Sequence, residues 1–582
     1  MLKTTIEWLK KNMGPDLKIW TQMIKEIDWG EVKRKTKLSL ERDKDRVVGE
    51  FKSFMAMSPA EKMDIVMNGD IHLGWLYKKD AIAFSRREWK GLKSVGIDFT
   101  GWLKTWAGMM AMIMKDPISI ALALFEYHWF ASYLGTPVAI DRSNLGRRGQ
   151  LLKSDIQMWG AITHWAEWQI QTQLRADARL GGDKELSKRI VLFDEMTMAQ
   201  MMAGFPNLIS MPYQMIPVFM SSELDQLALI PFIDAVEQYG LPGDACPLPV
   251  AECGCAIMDE YPICGMGFIA SSMPCDGSTM ASSFQDRRFG KYLPYYPLCF
   301  PVRYDDEDTI ECAAADMKEC IKWVEGLSGE KWDWDNYFKT MDIMNECTRI
   351  ELEKWEMNST PYPQMVGSSY ELFRKWNYEM DGGLFPEGIA VQRKLRDTMY
   401  KTYEKRLPAY RGGYARHRAL IWGQPAHFYA NFSNWLANSW GIYILAEMEA
   451  LNYTKMLNTT DKEEAIRDLC RLYERMVMRR HTNGGHDHVL GELWRQLKSF
   501  NADIAILYQH VSCKTMAGLM GLFDDQAREN NVHLIWVEHD LMDPRTISRK
   551  DMRARVSNYM VNVMHAEPVD PSLIEFDDEA SW

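Results

Sequence analysis

The sequence predicts an α/β protein: two parallel-sheet lobes facing a cleft, with a large N-terminal helical region. Two observations predict it. Short apolar runs alternate with amphipathic stretches in two blocks, from about residue 189 and again from about 406. Strand–helix alternation is the pattern of a parallel sheet with helices on its faces. Residues 1–185 instead repeat Trp, Met and Leu among Lys and Glu at helical spacing, as in Ile6, Leu9, Ile19, Met23 and Ile27. The 582 residues, 47% of them hydrophobic, suffice for more than one core.

In chain order, residues 1–188 read as a helical N-terminal region. Its greasiest stretch, Trp106 to Leu134, is interrupted by Lys115, Asp116 and Pro117 and carries Glu126 and His128. A membrane span needs about 20 uninterrupted apolar residues, so this stretch predicts a buried helical hairpin. The 40 Met and 22 Trp residues suit adaptable core packing. A first α/β lobe follows over 189–330, with strands at Arg189–Phe193, Gly267–Ala270 and Leu298–Val302 and a helix over Glu223–Tyr239. Apolar steps of three and four predict helices over Ala313–Leu327, at the end of this lobe, and over Trp334–Asn358, in a helical connector that spans 331–405. The second lobe, 406–566, has strands at Arg418–Trp422, Gly441–Ala446, Asp503–Leu507 and His533–Glu538, and a helix over Lys462–Met478. The acidic tail 567–582 is expected to fray. No short-period repeat is present, and the two blocks have the pattern of related lobes.

Composition narrows the function. A formal net charge of -12 lacks the basic footprint of a nucleic-acid binder. Met1 to Lys11 is charged every few residues and has no apolar signal core, so the expected compartment is the cytoplasm, with no membrane span. Disulfides are rare in that compartment. Yet five of the eleven cysteines fall between Cys246 and Cys275, a clustering usually explained by metal or cluster ligation.

The candidate ligands stand in the segments DACPLPVAECGC, YPIC, SSMPCDGS and HVSCKTMAG. Cys275 and Cys513 each lie just past an expected strand, where open α/β sheets place their ligand sites. Thiolates are soft, charged donors that suit iron–sulfur iron. The spacing is neither a ferredoxin run nor a zinc ribbon. The alternative for most of these thiols is a buried hydrophobe, and that reading is adopted for Cys299, Cys312, Cys320, Cys347 and Cys470.

The segments CPLPVAECG, PCDGS, SGEKWDWDNYF, HVSCKTMAGLM and VEHDLMDPRTISRKDMRARV resemble the 2-hydroxyacyl-CoA dehydratase and benzoyl-CoA reductase family, over roughly 190–565. The resemblance implies a two-lobed subunit holding one 4Fe–4S cluster through Cys246, Cys275 and Cys513, with one iron left open. It implies an acyl-CoA substrate, a related second subunit and a separate ATP-dependent activator protein. The implied chemistry is addition of one electron to the thioester, giving a ketyl radical anion that expels the 2-hydroxyl and acidifies the β-proton. The same electron delivery would serve reduction of an aromatic ring. A non-catalytic subunit that relays electrons or maintains assembly is the alternative. The departures are the size of region 1–185 and three further thiols, Cys253, Cys255 and Cys264, which would allow a double-cubane cluster and reduction of small molecules.

Other motifs carry less. His510 and Lys514 flank Cys513; a donor near a cluster sulfur tunes its potential, and the alternative is a loop histidine and a solvated lysine. Glu538–Asp540 and Asp543–Arg545 suit a structured turn and helix cap, or a catalytic role near the cluster. His481 to His488 lacks metalloprotease spacing, and its two glycines predict a polar loop. Gly265-x-Gly267-x-x-Ala270 matches a dinucleotide fingerprint in letters only, since it falls within a strand. No phosphate-binding loop of the P-loop type occurs, so ATP hydrolysis is expected in another protein.

Overall fold

The first block folds as a parallel sheet of β1 (Ile190–Phe193), β2 (Ile209–Pro212), β3 (Gly267–Ser271) and β4 (Tyr295–Leu298), in the order β2-β1-β3-β4. The second forms β5 (His417–Trp422), β6 (Ile442–Glu447), β7 (Ile504–His510) and β8 (His533–His539), parallel and in the order β6-β5-β7-β8. Each sheet therefore runs second, first, third, fourth, and the lobes repeat one topology. Parallel neighbours need long crossovers, which helical segments supply here. The computed structural model describes residues 117–136, 165–194, 199–241, 244–271, 276–289, 293–299, 306–367, 388–410, 413–429, 431–447, 455–474 and 486–574, with isolated positions at 52–59 and 114.

The helices used below are α1 (Pro117–Glu126), α2 (165–176), α3 (Ile230–Tyr239), α4 (Pro247–Ile257), α5 (Asp276–Phe289), α6 (Glu307–Ser328), α7 (Trp334–Ser359), α8 (Gly388–Glu404), α9 (Phe432–Ser439), α10 (Lys462–Glu474), α11 (His486–Ser499), α12 (Lys514–Glu529) and α13 (Arg549–Asn562). Side chains alternate across a strand, and the cores follow that period. Ile190 and Leu192 enter the same central core as Leu420, Trp422, Ala505 and Leu507 of the other sheet. Val191 and Phe193 face a second core with α6, α7 and α10, while Ala419, Ile421, Ile504 and Ile506 face a third with α9 and α13. The two sheets are thus joined by a shared apolar core. Burial on both faces explains why β1, and β6 up to Ala446, read as apolar runs.

The described N-terminal segments are helical and docked on this body. Ile120, Trp129, Phe130, Trp165 and Leu174 belong to the central core. Two side chains of these segments bond to the first lobe: Trp129 Nε1 donates to the Glu260 carbonyl at 2.9 Å, and Tyr133 donates to the Ile216 carbonyl at 2.7 Å. The N–H of His128 donates to the buried Glu260 carboxylate at 2.8 Å, and the Tyr127 hydroxyl donates to Asp177. Of the hairpin expected at Trp106–Leu134, the described part is α1 and a 3-10 segment over His128–Gly135; most of 1–164 lies outside the described residues.

Several elements differ from expectation. Strand β2 is short, is interrupted by Ser210 and ends on a proline that an edge strand tolerates, so it has no periodic signature. Strand β4 ends at Leu298, where the expected strand begins; it is an edge strand whose two half-buried tyrosines and exposed Pro297 give no apolar run. The expected helix 223–239 is split, because the Asp225 side chain accepts from the Leu227 N–H at 3.0 Å and opens a turn before α3. His486 to His488 begin α11, so that part of the expected loop is helical; 481–485 lie outside the described residues. The start of the tail is held: Asp570 caps a 3-10 turn over Pro571–Leu573, Leu573 is buried, and its carbonyl accepts from Trp435 Nε1 at 2.9 Å; residues 575–582 lie outside the described residues.

Candidate functional site

The carboxyl ends of β3 and β7 hold equivalent places, third in each lobe and beside the strand where the order reverses. Ligands of open α/β sheets bind at such switch points. Cys513 follows β7 by three residues and caps α12; its N–H donates to the His510 carbonyl at 2.9 Å, which turns the chain from strand into helix. Cys275 follows β3 and immediately precedes α5, but it lies outside the described residues. Cys246 comes from a different element, the turn between α3 and α4, where it caps α4 with Pro247 in the helix's first turn. The helices α4 and α5 pack against each other. Cys246 and Cys513 are both half-buried, and each stands at the positive end of a helix, which favours an anionic group.

Two links bring Cys246 to the loop of Cys513. The Cys246 Sγ lies 3.2 Å from His510 Nε2. Asp244 Oδ2 lies 3.0 Å from Lys514 Nζ, and this bond to Lys514 holds the Asp244 carboxyl below its usual range. His510 differs from the loop histidine expected: it is the last residue of β7, buried and in register with His539 of β8. Burial, and then the neighbouring His539, push His510 down to about 3. Burial pushes His539 down to about 4, against carbonyl groups of Gln424, Val537 and Gln509. Both rings are therefore neutral at ordinary pH. Lys514 is exposed, as expected of a solvated lysine.

The remaining thiols divide by environment. Cys253, Cys255 and Cys264 are packed in the central core. Burial and the Glu252 carboxylate push Cys253 up to about 12; burial raises Cys255 and Cys264 strongly. Cys320, Cys347 and Cys470 are buried as expected, whereas Cys299 and Cys312 are exposed: Cys312 lies on the outer face of α6 and Cys299 just beyond the edge strand β4.

The segment after β8 is a structured turn. Asp540 accepts from the N–H groups of Met542 and Asp543 at 2.9 and 2.8 Å. Arg545 grips Asp543 and reaches Asp234 of α3 at 2.9 Å, so this turn also ties the lobes. Sequence reasoning missed His427, on the loop after β5. Its Nδ1 lies 3.1 Å from Ser222 Oγ, and its ring sits edge-on to Phe219 of the first lobe. No local signal marks such a pairing across 205 positions.

A family model described as 2-hydroxyglutaryl-CoA dehydratase, D-component, matches residues 229–560, more than half of the chain. The chain belongs to that family. The match starts after β2, so it covers α3 to β8 and all three candidate ligands of this dehydratase-component chain. No curated protein matches the chain. Among the described residues no group of three or more His, Cys, Asp or Glu side chains is placed to hold a metal ion, and Cys275 is not among those residues. The donors that are described fit the family's iron–sulfur chemistry: two half-buried thiols at helix ends, on loops linked across the lobes, are soft donors of the type iron takes. Among the described residues no helix is long and apolar enough to cross a membrane.

Proposed function

We propose that this chain is the iron–sulfur subunit of an acyl-CoA dehydratase or reductase working by ATP-driven, low-potential one-electron chemistry. Cys246, Cys275 and Cys513 are the proposed ligands of a 4Fe–4S cluster. The observation that carries the reading is the hydrogen bond that ties Cys246 to the strand end bearing Cys513, within a dehydratase-component family. When bound, such a cluster supplies one-electron transfer at low potential and an open iron that polarises an oxygen as a Lewis acid.

The chain's own residues prepare that site. Both thiols stand at helix N-termini, Cys246 at that of α4 and Cys513 at that of α12, and the positive end of each helix dipole favours an anionic group there. The neutral ring of His510 supports the Cys246 sulfur without adding a charge. The substrate explains the demand for an electron: the β-proton of a 2-hydroxyacyl-CoA is barely acidic until the thioester is reduced by one electron. Hydride donors of the nicotinamide type lie too high in potential to do this. The reading includes a cytoplasmic location, a related second subunit and an ATP-hydrolysing activator.

The test is anaerobic purification with iron and sulfide analysis. About four irons per chain are expected. Cys246→Ala, Cys275→Ala and Cys513→Ala should each lose most of the iron, and Cys347→Ala should not. Full loading after loss of Cys513 overturns the ligand set. With the activator, ATP and a panel of acyl-CoA thioesters, turnover should appear; conversion by the isolated chain with NADH alone would point to hydride transfer instead.

A further inference from the structure

We propose that His510 is a positioning residue of this site: its Nε2–H holds the Cys246 sulfur across the lobe boundary and raises the reduction potential of the group that sulfur ligates. The inference rests on Cys246 being a ligand. The geometry is a 3.2 Å approach of Nε2 to Sγ between residues 264 positions apart. Both partners stand on rigid elements. His510 ends β7, where it pairs with His539; the His539 ring stands 5.8 Å from the His510 ring and 4.9 Å from that of Tyr508. Cys246 caps a helix whose residues are almost all buried.

The direction of the hydrogen bond follows from the chemistry of a ligand sulfur. A metal-bound cysteine is deprotonated and can only accept. Nε2 therefore carries the proton, and Nδ1 keeps a lone pair. No partner for Nδ1 occurs among the described residues. A buried lone pair without a partner is more readily tolerated than a buried N–H without one, so this tautomer is also the one the protein interior favours. An N–H directed at a ligand sulfur stabilises the extra negative charge of the reduced state, which raises the potential. Cys513 lies three residues from His510, so one strand end both carries a ligand and supports another.

The experiment uses the full chain, reconstituted anaerobically with iron and sulfide, and reads the midpoint potential by electron paramagnetic resonance. His510→Leu should take up iron and show a midpoint shifted to lower potential. His510→Gln, which can present an N–H near the Nε2 position, should restore much of the shift; His510→Asn, whose amide matches Nδ1, should not. An unshifted midpoint in both His510→Leu and His510→Asn overturns the proposal. If His510→Leu does not fold, equal midpoints for the Gln and Asn variants overturn it as well. Wild-type protein that takes up no iron removes the ligand reading and this inference together. A loaded wild type with unmoved variants removes this inference alone.

Discussion

Asp244 and Lys514 meet at 3.0 Å on the protein surface, two residues before Cys246 and one after Cys513. The pair links the same two loops as the hydrogen bond between Cys246 and His510, but it is exposed: 77% for Lys514 and 68% for Asp244. Solvent and salt screen such a pair, so it orients the loops more than it stabilises the fold. Lys514→Ala should leave the thermal unfolding midpoint unchanged. A drop of several degrees, read by circular dichroism, would mean that the pair holds the lobes together.

The helix that carries Cys246 depends on Gly254. A Cβ at that position would stand 2.1 Å from the Phe232 carbonyl oxygen and 2.5 Å from its carbon, both backbone atoms of α3. Neither can swing aside, so α3 and α4 would have to separate. Gly254→Ala should destabilise the protein by about 1–3 kcal/mol, the range for overpacking, and lower its retention of iron. Urea unfolding checks the first effect and iron analysis the second. Wild-type stability in this variant would show that the helices do not depend on so close an approach.

Asp540 makes stability depend on pH in mildly acid solution. Burial pushes its carboxyl up to about 6, against the N–H groups of Asp543 and Met542, which favour the charged form. An unfolded Asp titrates near 4, so between about pH 4 and 6 the folded protein binds more protons than the unfolded one. The stabilisation is complete below the unfolded value and is lost as pH rises through the folded one. The change is at most about 3 kcal/mol, at 1.36 kcal/mol per pKa unit. Asp540→Asn keeps an acceptor for both N–H groups and should flatten this slope without loss of stability at pH 7. Urea midpoints at pH 4.5, 5.5 and 7 decide it; a slope unchanged in the variant assigns it to another group.

Much of the fold was legible because buried parallel strands and amphipathic helices are local patterns. The runs IVLF, GFIA and ALIW sit within the observed strands, and α7 starts at the expected Trp334. The elements that escaped, β2 and the observed span of β4, are edge strands with little periodicity to read. The crowding of cysteines at 246–275, and the place of Cys513 just past a strand, were also plain in the chain.

By itself the sequence determined the two α/β blocks, the helical elements around them, and the thiols available for ligation, because each depends on residue type and short-range spacing. Tertiary structure alone decided that the lobes repeat one strand order and share a core, and that His510 is a buried strand end touching Cys246. It also decided which cysteines are packed away: Cys253 and Cys255 lie in the core seven and nine residues after a half-buried Cys246. The physical reason is distance along the chain. A contact spanning 264 residues follows from how two sheets pack, and no local pattern in either segment encodes it.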